Sequence, residues 1–152
     1  PADLSMRYQT ALLTGQAERA SALMKEIKIP MGLDGLSPEE YPAELHPGDR
    51  AMLAFEDGDL ALVEALSSNA WRDETRDRAE WIAGRHHDCQ SLALIGSAVE
   101  AVACLRNIFK QPSSALPFLE PHLPLYDPIR GSAEFQTLRD ELVQQGWLDP
   151  LP

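Results

Sequence analysis

Apolar residues recur at intervals of three and four along most of the chain, the period of helices with one buried face. Leu4, Tyr8, Ala11 and Leu12 form a first run, and after Gly15 come Ala20, Leu23, Met24 and Ile27. The pattern predicts helix, turn, helix. A further helix is expected from Gly48 to about Glu56, then the turn Asp57-Gly58-Asp59 and a helix from Leu60 to Ala70. Asp73 is placed to cap a long pattern through Trp81, Ile82, Cys89, Leu92 and Ala93 that stops at Gly96, with Gly84 as a bend point. Ala98 to Phe109 follows, with Val102, Leu105 and Phe109 on one stripe. Ser37-Pro38-Glu39-Glu40 has the capping-box form and predicts a short helix. Near the end, Ser132 precedes an apolar stripe of Phe135, Leu138 and Leu142.

Proline placement agrees with these limits, because proline breaks a helix interior. None occurs from Ala2 to Ile29 or from Gly48 to Gln111. One cluster is Pro30, Pro38, Pro42 and Pro47, and the other is Pro112, Pro117, Pro121, Pro124 and Pro128, which marks the connections. Composition points the same way: Ala and Leu total 41 residues, whereas the β-branched Val, Ile and Thr total 14. The fold class expected is all-α.

The chain has 152 residues, 13 basic against 24 acidic, and a formal charge of −11. That length is one domain's worth and can build a core without metal or disulfides. The charge excludes nucleic acid as a direct partner and disfavours an anionic membrane surface, since either needs clustered Lys and Arg. No apolar run is long enough to span a bilayer, and Pro1 to Thr10 has neither a basic start nor a signal-peptide apolar stretch. A start at Pro1 without an initiator Met has the form of a trimmed protein or of a segment of a longer one. Cys89 and Cys104 sit in no metal-ligand spacing and say little about redox compartment.

Aligning the turn glycines gives Gly15-Gln-Ala-Glu-Arg-Ala20, Gly58-Asp-Leu-Ala-Leu-Val63 and Gly96-Ser-Ala-Val-Glu-Ala101. The helix-turn-helix recurs, and the unit resembles a tetratricopeptide repeat with lengthened connections. That pattern wants a small residue seven before the glycine, one five after and a small or apolar residue twelve after. Ala51, Val63 and Ala70 fill these slots in the second unit, and Cys89, Ala101 and Ile108 in the third. In the first, Ala20 and Ile27 fit while bulky Tyr8 departs, and the family's Trp-Leu-Gly-Tyr signature is missing, with Pro47 and Arg85 where an aromatic is common. Leu125-Tyr126-Asp127-Pro128-Ile129-Arg130 followed by Phe135-Gln136-Thr137-Leu138 resembles the element that closes many bacterial tetratricopeptide domains.

The resemblance implies a single helical repeat domain over 1–152, an α-α superhelix with units at about 2–29, 48–71 and 74–111 and a cap over 112–148. It also implies a non-enzymatic protein-interaction or sensory module. Such domains form the C-terminal regulatory part of bacterial cyclases, kinases and membrane-anchored winged-helix regulators. Cytoplasmic location is expected, or periplasmic if the parent is membrane-anchored. In the family register the concave slots hold Ser5, Gln9 and Leu12; Gly48, Met52 and Phe55; and His86, Gln90 and Ala93. Gln9, Met52, Phe55, His86 and Gln90 are the expected partner-binding residues, for a peptide or partner helix. Leu12 and Phe55 can equally be core. A homodimer through the apolar end before Leu4 is a further expectation.

The rival reading is a small metal-binding protein or enzyme built on Arg85-His86-His87-Asp88-Cys89. His86 and Cys89 are three apart and share a helix face, and Arg85 could activate the Cys89 thiolate. Nothing nearby completes such a site, since His46 and His122 lie in proline-rich connections, so neither a metal nor a cofactor is expected. No nucleophile elbow, phosphate loop or H-E-x-x-H occurs. Glu39-Glu40 and the Asp57/Asp59 pair flank helix ends and turns, as ordinary helix chemistry requires. Trp71, Trp81 and Trp147 are expected as packing anchors rather than ligand stackers.

Overall fold

Gly15, Gly58 and Gly96 each close a helix in the same way. Their φ angles of +70°, +80° and +78° lie in the left-handed region, where a Cβ would strain the backbone. In each, the glycine N–H donates to the carbonyl three residues back and the next N–H to the carbonyl five before it. The pairs are Gly15 to Leu12 with Gln16 to Ala11, Gly58 to Phe55 with Asp59 to Ala54, and Gly96 to Ala93 with Ser97 to Leu92. Carbonyls left open by the helix end are thereby satisfied while the chain turns.

The computed structural model describes residues 2–76, 87–110 and 116–150. Among them every regular element is helical: α1 (Ala2–Leu13), α2 (Ala17–Lys28), α3 (Pro47–Asp57), α4 (Leu60–Arg72), α5 (helical over 87–94), α6 (Ala98–Phe109) and α7 (Ala133–Gln144). Short 3-10 turns cover Pro38–Glu40, Glu120–His122 and Pro124–Ile129. The expected bend at Gly84 and anchor at Trp81 lie outside the described residues. Asp73 makes a local turn, its Oδ1 accepting from the Thr75 backbone N–H at 2.9 Å.

Two compact units result, one ending at Asp59 and the other beginning at Leu60. The division falls inside the 48–71 pair that the sequence pattern groups as one repeat. Side-chain burial explains it: Leu53 of α3 is buried with Tyr8, Ala11, Leu23, Met24, Ile27 and Leu33, whereas Trp71 of α4 is buried with residues of α5, α6 and α7.

In the first unit α1 and α2 pack as a hairpin. Tyr8 fits a slot meant for a small residue because its ring is buried while its hydroxyl donates to Glu56 at 3.1 Å. Lys28 lies 3.9 Å from Asp57 and 5.5 Å from the Tyr41 ring centroid, which ties α2 to the end of α3. The Glu40 carboxylate accepts from the Ser37 backbone N–H at 2.7 Å and its hydroxyl at 3.0 Å, so the capping pattern closes a 3-10 turn. His46 caps α3, its Nδ1 accepting from the Gly48 N–H at 3.1 Å.

In the second unit α6 is the central element, packed on α4 and α7. Ala101, Val102, Cys104, Leu105 and Ile108 are all buried. Paired hydrogen bonds join the helices at their margins: Arg72 forks onto Glu100, and Arg106 onto Glu141 at 3.0 and 2.8 Å. These arginine hydrogen bonds are the main reason both carboxyls sit below the ordinary carboxylate range. Arg76 pairs with Asp88 of α5, at 3.0 Å.

The closing stretch folds as its residues suggest. Arg130 donates to the carbonyls of Pro121 (2.8 Å) and Leu123 (3.0 Å) and to the Asp127 carboxylate (2.9 Å), clasping the two 3-10 turns together. Ser132 caps α7, its Oγ accepting from the Phe135 N–H at 3.2 Å, and Phe135, Leu138 and Leu142 are buried.

Cys89 gains a second role, and one of the tryptophans departs from expectation. Cys89 is the small buried residue the helix contact requires, but it is also bonded to Cys104, with Cα atoms 5.4 Å apart. Trp71 is a packing anchor, whereas Trp147 is half-exposed and stacks on an equally exposed Phe118 with centroids 6.4 Å apart. Trp147 lies just past the Gly146 turn at the end of α7, where no further helix covers it among the described residues.

Candidate functional site

The first unit opens at the mouth of its helix hairpin. Leu4 and Ser5 come from α1, Ile27 from the end of α2, Pro30 and Met31 from the connection, and Asp49 and Met52 from the first turns of α3. Together they line a half-open cleft of about 280 Å³. Helical spacing sets the α3 contribution, because Asp49 and Met52 are three apart and share a face. Pro30 follows the end of α2, where a helix could not continue.

Its chemistry is simple. Five of the seven lining residues are apolar, two of them flexible thioethers that adapt to varied shapes. Polar surface, to which Ser5 and Asp49 contribute, is nearly as extensive as the apolar, and Asp49 adds negative charge to an already acidic chain. The volume falls just short of the roughly 300–1,000 Å³ of small-molecule pockets, so one or two inserted side chains fit it better than a whole cofactor.

A second constellation is internal. Glu120 is 6% exposed, and its Oε1 accepts from Gln90 of α5 at 2.8 Å and from the Tyr126 hydroxyl at 2.6 Å. Tyr126 is fully enclosed and stacks on Phe135. Burial first, and then the neighbouring Glu120 charge and hydrogen bond, push its hydroxyl well above the usual tyrosine value of 10.0. Tyr8 is raised for the same reasons, burial first and then Glu56. With both donors turned inward, this arrangement holds structure and presents nothing to a ligand.

Raised tyrosines predict alkaline instability. Below about pH 10 the tyrosines are neutral in both folded and unfolded chains; above it the unfolded chain releases protons that the folded one retains. Stability is therefore expected to fall as pH rises beyond about 10, and less steeply in Tyr126→Phe. Urea midpoints followed from about pH 8 to about pH 11 check this, and equal slopes in the two proteins would contradict it.

The expected partner-binding residues separate. Met52 lines the cleft with Ser5, while Gln9 is exposed on α1 and Phe55 is half-buried beyond it. Leu12 is half-buried and packs on the first core. Gln90 belongs to the second unit and is committed to Glu120. His86 lies outside the described residues. His87 is exposed, and Cys89 carries no free thiol to serve as ligand or nucleophile.

Pro30 and Met31 were missed because they sit in a connection, where helical periodicity has no reach; Asp49 was within reach, three residues before Met52 on the same face of α3. The cysteine pair did leave a signal. Cys89 is seven residues before Gly96 and Cys104 eight after it, so an antiparallel hairpin with 1.5 Å rise per residue brings them to nearly the same height.

Comparisons with family models, with curated proteins and with solved structures found no match to this chain.

Proposed function

We propose that this chain is a tetratricopeptide-like interaction module without catalytic chemistry, the regulatory segment of a larger bacterial signalling protein. In this reading, a peptide or partner helix inserts one or two apolar side chains into the cleft beside Met52. The observation that carries it is the cleft itself, a recess of mixed apolar and polar surface at the mouth of a helix hairpin, with Met52 and Met31 among its lining. The residues five after the aligned glycines, Ala20, Val63 and Ala101, are all buried, which supports the repeat character. Of the two compartments expected, the periplasmic one suits a chain that carries a disulfide.

Peptides selected from a displayed random library by the intact chain provide the test. Titrated against Met52→Glu, they are expected to bind at least about tenfold more weakly, because the thioether is lost and a second carboxylate stands beside Asp49. Met52 is half-buried and packs on the first core, so the peptides are titrated at a temperature below the melting transition of both proteins. Equal binding would move the surface away from the cleft, and failure to enrich any peptide would remove the reading.

A further inference from the structure

Cys89 and Cys104 have no solvent-exposed area and lie inside the core of the second unit. Their bond joins α5 to α6 across the Gly96 turn and closes a loop of sequence separation 15. Leu92, Ala93, Ala101, Leu105 and Ile108 are buried in the same cluster as the two cysteines. Attack on a disulfide requires a thiolate to reach one of its sulfurs. Here that approach is blocked unless the hairpin opens.

We infer that the second unit matures by oxidation of Cys89 and Cys104, and that the product is a closed structural staple of a chain working in an oxidising compartment, rather than a redox switch. The oxidant is a disulfide-bearing molecule, either a thiol–disulfide oxidoreductase or a small disulfide. One cysteine loses its proton to solvent and its thiolate attacks the oxidant's disulfide, forming a mixed disulfide and releasing one oxidant thiolate. The second cysteine, likewise deprotonated, attacks the mixed disulfide at the protein sulfur and expels the other oxidant thiolate. Two protein thiols have then given up two electrons and two protons, and the oxidant has become two thiols once its thiolates are reprotonated.

Three features argue for a staple. A switch needs an accessible bond, and this one has no accessible area. The bond links helices that already pack, so oxidation stabilises the fold without asking for a new one. The constraint is also large enough to matter: closing a loop of about 15 residues lowers the unfolded population on the order of 100-fold.

Alkylation and mass spectrometry on the intact chain, made in an oxidising host compartment, supply the test. Iodoacetamide should label no cysteine in the native protein, none after urea alone, and both after urea with a dithiol reductant. With reductant but no urea, loss of the bond should be on the order of 100-fold slower than in urea, since it waits on opening. The double variant Cys89→Ala/Cys104→Ala should populate the unfolded state on the order of 100-fold more than the oxidised parent. Double labelling of the native chain without reductant would show that no bond forms and would overturn the inference. Equally fast reduction with and without urea would replace the staple with a switch. If the double variant does not fold, the labelling and reduction rates on the parent still decide the matter, and neither depends on what the cleft binds.

Discussion

Phe135→Ala is expected to destabilise the second unit by about 3–5 kcal/mol, the cost of emptying a large aromatic site in a closed core. Phe135 is 1% exposed and holds three groups in place at once. Its ring stacks on Tyr126 with centroids 6.2 Å apart, the Arg130 guanidinium lies 5.5 Å from its centroid, and its own N–H is the one that Ser132 caps. The alanine retains the cap and loses the other two contacts. Collapse of the cavity is hindered because the ring's neighbours, Tyr126 and Arg130, are anchored by their own hydrogen bonds. Urea unfolding read by tryptophan fluorescence isolates the effect, because Trp71, Trp81 and Trp147 all lie beyond Leu60. A lower midpoint with an unchanged slope is the expected result. A loss below about 1 kcal/mol would mean that α7 does not pack on α6 through this ring.

Glu120→Ala should cost about 2–4 kcal/mol, and Glu120→Gln much less. The alanine leaves the Gln90 amide and the enclosed Tyr126 hydroxyl without their common acceptor, and an unmade hydrogen bond in a core is costlier than a made one is stabilising. The glutamine retains an oxygen where both donors point. Measured by the same fluorescence, the gap between the two variants gives the worth of the acceptor geometry. Equal losses would show instead that charge at this position, and not the position of the oxygen, holds the network.

Much of the helical layout was legible. The limits proposed for the sixth helix, Ala98 to Phe109, are those observed. The fourth starts at Leu60 as expected and runs two residues further, to Arg72. Ser132 caps the last helix, whose three-residue stripe is buried. Each of these depends on residues within a turn or two of each other, through periodicity, a cap or a glycine.

The candidate site was legible only in part. Met52 and Ser5 were reached by counting back from the glycines, and they do share the cleft. The same count assigned Gln90 to a groove, although its amide is turned toward Glu120, thirty residues away. Counting along a helix reports which face a residue occupies, but not what packs against that face.

The sequence by itself determined the helical class of every regular element among the described residues, the position of the glycine turns and the residue that caps the last helix, because local hydrogen bonding and side-chain periodicity control those. Only the tertiary structure decided the division at Asp59, the enclosure of Glu120 and the assembly of the cleft from α1, α2, α3 and a connection. Those outcomes depend on which buried faces meet. Burial of apolar area is non-directional, so many pairings satisfy the same pattern of hydrophobic positions. Volume and polar partners then select among them: a tyrosine whose hydroxyl must find a carboxylate, two sulfurs at matching heights on a hairpin, an arginine that reaches two carbonyls.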